Sequence, residues 1–397
     1  MRVRAERLVA GGRAIARAPD GRVVFVDGAL PGELTDVAIS RERRDFAEGW
    51  AEHIVEPSPG RRPPPCVHRL AGCGGCDWMH LDPPAQLTAK VEIAADALTR
   101  TGRIPAEQVA DVVVTGASVA PTRYRTTVRV VGGPDRRPGF RAARSHQVIS
   151  IDDCPVAVAP LAEAVAAVRL DPEIELTMRI SELDGTCTAW WRGPTGRRAT
   201  SPAGLGRDVG TGPRAALRER VDGAELRVSA ASFFQASRTG AELLVDAVRR
   251  AAPEASGADH GVDAYGGVGL FAATVLADVG RVTIVETSAS SCADARHNTI
   301  AGAEWTIHNT SMDRWQPGEP ADVMIADPAR AGLGAGGAAA VVAAEAPVVV
   351  LVSCDPVAGA RDIRALIDAG YRLEGVEVLD LFPQTHHLEL VSRLVRE

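Results

Sequence analysis

The segment Leu351-Val352-Ser353-Cys354-Asp355-Pro356 carries the strongest chemical signal in the sequence. An apolar run from Val348 to Val352 leads into it, with Pro347 just ahead, where a proline costs a strand little. Such a run reads as a buried parallel strand. Cys354 then stands where a strand of an open α/β sheet ends, the edge at which ligands and catalytic groups collect. A thiol, above all as thiolate, is a strong side-chain nucleophile. The plainer reading of a cysteine at a strand end is packing, and the rest of the chain has to decide between the two.

A second constellation lies upstream. Asp263-Ala264-Tyr265-Gly266-Gly267-Val268-Gly269-Leu270-Phe271 follows one strand and opens a helix, and its glycines allow close approach of a ligand to the backbone. Glu286 ends the next strand, placed to accept hydrogen bonds from ribose hydroxyls. Position 272 is Ala, so the dinucleotide pattern is incomplete and no pyrophosphate cradle is evident. S-adenosylmethionine, with a ribose but no phosphate, suits the loop better than NAD. Asp327-Pro328-Ala329-Arg330 closes another strand and aims its aspartate at the same crevice, unless that aspartate merely caps a helix.

Cys66, Cys73, Cys76 and Cys154 lie on Pro- and Gly-rich loops. Four thiolates suit a 4Fe-4S cluster or a structural zinc, and the Cys154-Pro155 ending has a ferredoxin flavour. Cys187 and Cys292 have no partner pattern and read as core.

These residues need elements to position them. The chain of 397 residues is long enough for two or three domains. Residues 1–56 read as short strands with turns at Pro19-Asp20-Gly21 and Pro31-Gly32, including Val23–Val26 and Thr35–Ile39, which fits a small oligonucleotide-binding (OB-like) barrel. Pro57 to Pro65 reads as a stiff linker. Residues 86–101 and the stretch from 159 to about 169 read as helices. From about residue 225 strands and helices alternate, the pattern of a doubly wound, Rossmann-like α/β domain. The partition is therefore 1–56, a central α+β unit at 57–215, and a catalytic domain at 216–397.

The net charge of −7 is no nucleic-acid signature, but residues 121–150 hold seven arginines against one acid, Asp135. Arg123, Arg125, Arg129 and Arg141 are the candidate phosphate contacts, against the alternative of a solvated, ion-paired face. Lys90 is the one lysine, read as compositional bias. No apolar run has the length of a membrane span, and Met1–Arg7 lacks the apolar core of a signal peptide. A cytoplasmic location is the expectation, with no membrane and no obligate protein partner.

Taken together these segments resemble the RNA uridine-5 methyltransferases. Phe233-Phe234-Gln235, Tyr265 with the glycines Gly267 and Gly269, Glu286, Asp327-Pro328-x-Arg330, Ser353-Cys354-x-Pro356 and Phe382-Pro383-Gln384-Thr385-His386-His387-Leu388-Glu389 match the family's motifs in order. The resemblance implies that Gln235, Tyr265, Gly267, Gly269, Glu286 and Asp327 serve the methyl donor, that Cys354 is the nucleophile and that Glu389 is the general base. It also implies a 4Fe-4S cluster on the four cysteines, with zinc as the alternative, and a TRAM domain at 1–56. Those two features belong to the ribosomal-RNA branch, so ribosomal RNA is favoured over transfer RNA. Three positions depart from the family. Asp355 stands where Asn is usual and is expected to raise the pKa of Cys354 by its charge. Gly266 stands where Cys is frequent. Six residues separate Cys66 from Cys73, one more than the family pattern. RNA cytosine-5 methylation uses the same addition chemistry, but its second cysteine is replaced here by Ala329. A non-catalytic iron–sulfur RNA-binding protein is the remaining alternative.

Overall fold

A computed structural model describes residues 1–194, 199–300 and 302–397. Five strands between Arg2 and Glu56 close into a barrel. Their alternation of buried and exposed residues, clearest in Arg2–Leu8 and Val23–Asp27, is what puts one face of each strand inside.

The segment read as a linker is pinned to this barrel. Glu33 is fully buried, accepts from the backbone N–H groups of Leu30 (2.8 Å) and Ser58 (3.0 Å), and takes both Arg61 Nε (2.5 Å) and Nη2 (2.7 Å). A buried carboxylate holds its charge only with such partners, so the prolines here dock rather than space.

A six-stranded sheet forms the central unit, with Thr127–Gly132, Pro138–Arg141 and Val148–Ser150 along one side and Glu175–Ile180, Cys187–Arg192 and Val209–Thr211 along the other. The helix Ala159–Ala167 covers it.

The largest sheet has eight strands. In spatial order they are Glu304–Asn309, Arg281–Glu286, His260–Ala264, Val323–Ala326, Val348–Ser353, Glu389–Arg396, Tyr371–Asp380 and Val113–Ser118. The first five are mutually parallel. Strands His260–Ala264 and Val348–Ser353 are buried throughout, as a sheet covered on both faces requires. Chain order reverses direction beside His260–Ala264, the switch point where such sheets open a ligand crevice.

One part of the sequence partition changes. The strand Val113–Ser118 pairs in parallel with Tyr371–Asp380 as the eighth strand, and the helix Pro83–Arg100 packs on the same layer, with Ile93 and Leu98 in its core. Part of 57–215 thus belongs to the catalytic sheet. A strand pairing with one more than 250 residues away leaves no local pattern to read. No helix among the described residues is long and apolar enough to cross a membrane.

Candidate active site and the cysteine-lined cavity

The nucleophile candidate sits in a strand-to-helix turn. Cys354 follows the buried strand Val348–Ser353, and the helix Pro356–Asp368 begins at once. Asp355 caps that helix, accepting from the N–H groups of Val357 (3.0 Å) and Ala358 (2.8 Å). The charge expected to burden the thiol is thus spent on two orphan amides. The thiol is instead pushed up to about 12 by its burial, then by the carboxyl groups of Glu389 and Asp327, with Arg330 pulling the other way.

Glu389 reaches this place through an antiparallel return. The last strand runs against Val348–Ser353 with Leu390 opposite Ser353. Its first residue therefore lies at the edge where the parallel strands end, beside Cys354. Glu389 is 4% exposed, and burial followed by the proximity of Asp327 holds its carboxyl well above the usual carboxylate range. Asp327 follows the strand Val323–Ala326 and donates its backbone N–H to the Ala264 carbonyl (3.2 Å). The nearest downstream helix starts only at Gly334, so Asp327 is not a helix cap. Burial raises it as well.

The glycine loop, Asp263 and Glu286 meet at the switch point. Glu286 accepts from the N–H groups of Gly267 (3.0 Å) and Ser288 (2.6 Å). Asp263 accepts from Ala272 N–H (3.0 Å) while its other oxygen has no partner, and burial lifts it to about 7, with Asp327 and Glu286 adding to the shift. Gly266 has no room for a Cβ: Ile284 Cγ2 would lie at 2.8 Å and Asp263 Cγ at 2.9 Å. Tyr265 adopts a left-handed φ of 60° on this loop. Gln235 is buried, while Phe233 is 71% exposed. The loop bearing both is tethered by Asp294, which accepts from Ser229 N–H (2.8 Å) and Ser232 Oγ–H (2.6 Å). Buried Arg179 donates to the Ser232 carbonyl (3.2 Å). Neither tether was apparent in the sequence, because both cross between strands and helices remote in the chain. The crevice thus gathers Asp263, Glu286, Asp327 and Glu389, three of which burial holds above the usual carboxylate range, so a cationic ligand there would favour their ionised forms.

A cavity of ≈ 90 Å³ opens on Cys354 and is lined also by Arg330, His386, His387, Ile93, Gly11 and Ala10. His387 is held down to about 3 by burial, then by His386 and Arg330. It is therefore neutral, and its Nε2 accepts from Arg330 Nη2 (3.2 Å), since a guanidinium can only donate.

The four predicted cysteines line one other cavity, of ≈ 260 Å³. All are free thiols. Burial pushes Cys76 up to about 12, with Cys154, Cys73 and Cys66 each adding to the shift. Among the described residues no group of three or more His, Cys, Asp or Glu is spaced to hold a metal ion. Cys187 and Cys292 lie elsewhere; the Cys292 thiol donates to the Glu286 carbonyl (3.4 Å).

Two of the four candidate RNA-contacting arginines have internal work. Arg123 forms a two-point pair with Asp153 (2.8 Å and 2.8 Å) and donates to the Cys154 carbonyl (3.1 Å). Arg125 lies over the rings of Tyr124 and Phe382 and lines the cysteine cavity. Both brace the cysteine loops. Arg141 reaches Glu175 at 3.5 Å. Arg129 is exposed and among the described residues has no ion-pair partner.

Comparison with known proteins agrees with this layout. The family model for the TRAM domain matches residues 1–51. An uncharacterized RNA methyltransferase of Streptomyces avermitilis is 33% identical, covering 97% of this chain and 95% of its own. The 23S rRNA (uracil(1939)-C(5))-methyltransferase of Chromohalobacter salexigens is 32% identical, covering 99% and 88%. This chain belongs to the RNA uracil-5 methyltransferase family. The same fold occurs in Pyrococcus abyssi tRNA (uracil-54, C5)-methyltransferase in complex with S-adenosyl-L-homocysteine, with a TM-score of 0.72, 23% identity and 100% of both chains covered. Family membership accounts for the motif order along the chain, and the geometry accounts for why those motifs meet.

Proposed function

We propose that this chain methylates C5 of uridine in RNA with S-adenosylmethionine, and that its substrate is ribosomal RNA. The observation that carries the reading is the register of the last strand, which sets a carboxyl group, Glu389, beside the thiol of Cys354. Relatives named for a 23S rRNA uracil and a TRAM match at the N-terminus support the substrate class.

The donor-side residues Gln235, Tyr265, Gly267, Gly269, Glu286 and Asp327 would hold S-adenosylmethionine. When bound, it supplies an electrophilic methyl group and a positive charge to the acidic crevice. The Cys354 thiol gives its proton to solvent and its sulfur bonds to uracil C6, so the C5–C6 π pair moves into the ring as an enolate and C5 becomes nucleophilic. After C5 has gained its methyl group, Glu389 takes the C5 proton. The C5–C6 double bond re-forms as the sulfur–C6 bond breaks and the thiolate leaves. The base must leave its stack to reach the thiol, so loops and unpaired RNA are the accessible targets. Cys66, Cys73, Cys76 and Cys154 would hold a 4Fe-4S cluster with a structural role, since methyl transfer moves no electron through the protein.

The test is nucleoside mass spectrometry on unmodified ribosomal and transfer RNA transcripts incubated with the anaerobically purified chain and S-adenosylmethionine. A 5-methyluridine signal from ribosomal RNA is expected. Methylcytidine, or modification of neither pool, overturns the reading. The same preparation should contain about four irons per chain; stoichiometric zinc without iron would refute the cluster.

A further inference from the structure

Asp77 directly follows Cys76 and is spent on the far side of the active site. Its Oδ1 accepts from the backbone N–H of His386 (3.1 Å) and its Oδ2 from the ring Nδ1–H of the same residue (2.5 Å). The His386 ring lies against that of His387, with centroids 4.2 Å apart, and His387 in turn receives Arg330 (3.2 Å). Arg330 is the cation that acts on both Cys354 and Glu389. The neighbouring residue extends the grip: Trp78 donates its backbone N–H to the Gln384 carbonyl and its indole N–H to the Gly12 carbonyl, each at 2.9 Å. Gly12 is packed so closely that a Cβ would stand 2.7 Å from Asp77 Oδ2 and 2.8 Å from His386 Cβ. Barrel turn, cysteine loop and catalytic loop therefore meet at one carboxylate.

We propose that Asp77 is a positioning residue: through His386 and His387 it fixes the Arg330 guanidinium beside Cys354 and so ties the cysteine-bearing loop to the catalytic thiol. The proposal rests on the assignment of Cys354 as nucleophile. A two-point hold on the His386 backbone and ring leaves that imidazole one orientation. Its ring packs at a 50° tilt against that of His387 and so limits it, and the single hydrogen bond from Arg330 to His387 sets where the positive charge lies. A guanidinium displaced by about 1 Å at such a site costs up to about a hundredfold in rate.

The experiment uses the full, anaerobically purified chain and needs neither RNA nor donor for its main readout. Iodoacetamide alkylation of Cys354 is followed by peptide mass spectrometry in wild type, Asp77→Asn, His386→Ala and the double variant; kcat on RNA is measured in parallel. Each single variant should slow alkylation and kcat by roughly tenfold to a hundredfold. S-adenosylmethionine affinity, iron content and melting temperature should stay at wild-type values. The double variant should be no worse than either single, because the two residues act as one unit, and Asp77→Glu should recover part of the loss. Unchanged alkylation, losses that multiply in the double variant, or losses that track a fall in iron content and melting temperature each overturn the proposal. A wild-type protein that methylates no RNA yet shows the alkylation pattern keeps the positioning and refutes only the methylation reading.

Discussion

At the scale of single residues, the resting thiol is held neutral by its surroundings. Cys354 is pushed up by burial first and then by Glu389 and Asp327. Below its raised pKa the thiol stays protonated, so alkylation of the ligand-free protein should keep rising with pH beyond about 10, where an ordinary cysteine near 8.5 has levelled off. Glu389→Gln removes one of the opposing charges. Cys354 should therefore react faster in that variant, most clearly at alkaline pH where the wild-type Glu389 is ionised, while methylation falls because the base is gone. Slower alkylation in Glu389→Gln would show that Glu389 does not act on the thiol. The pairing of Cys354 with Glu389 was legible in the sequence because each sits in a short motif whose residue types are chemically demanding, and the structure brings the two side by side. Arg330–His387 and Asp77–His386 were not, since 57 and 309 residues separate the partners and folding alone introduces them. Asp355, expected to burden the thiol, caps the helix that follows, and a cap is visible only once the helix start is placed.

At the scale of elements, the catalytic loop hangs between a helix and a strand that share a buried ion pair. Lys90, read from sequence as a compositional remnant, lies at 0% exposure on the helix Pro83–Arg100. Its Nζ donates to Asp380 Oδ1 (2.6 Å) and to the Phe382 carbonyl (3.3 Å), and it sits 5.9 Å from the Trp78 ring centroid. Burial lowers Lys90 and raises Asp380, and each partner counters the shift in the other. Breaking such a pair from one side strands a buried charge. Lys90→Met should cost about 3 to 5 kcal/mol in urea unfolding, whereas Lys90→Met combined with Asp380→Leu should recover most of it. A single variant as stable as wild type would mean that water reaches Asp380. The helix itself was legible from its period. Its partner was not, because a lysine inside an apolar stripe looks like a surface residue until the strand above it is in place.

At the scale of the whole molecule, the barrel and the catalytic sheet are one body. A single apolar core runs from Val3, Val24 and Val37 of the barrel through Trp78 and Leu81 to Ile93, Leu98, Val376 and Leu390. Glu33 and Arg61 lock the proline segment onto the barrel, and Ala10 and Gly11 of a barrel turn line the cavity at Cys354. The sequence partition anticipated a module on a spacer, because strand count and prolines are local signals while shared burial is not. If the barrel were such a module, a chain lacking residues 1–56 would fold, bind S-adenosylmethionine and lose only RNA affinity. The shared core demands otherwise. Truncation bares the apolar surface around Trp78 and Ile93 and removes one wall of the nucleophile cavity. The truncated chain should therefore aggregate, or fold with a lowered melting temperature and impaired Cys354 alkylation even without RNA. Hydrogen exchange on the intact protein gives the complementary check. Amides of the barrel strands and of Val348–Ser353 should open together in the global unfolding unit. Independent opening of the barrel at lower free energy, with a soluble truncated chain of normal donor affinity, would restore the picture of a tethered RNA-binding domain.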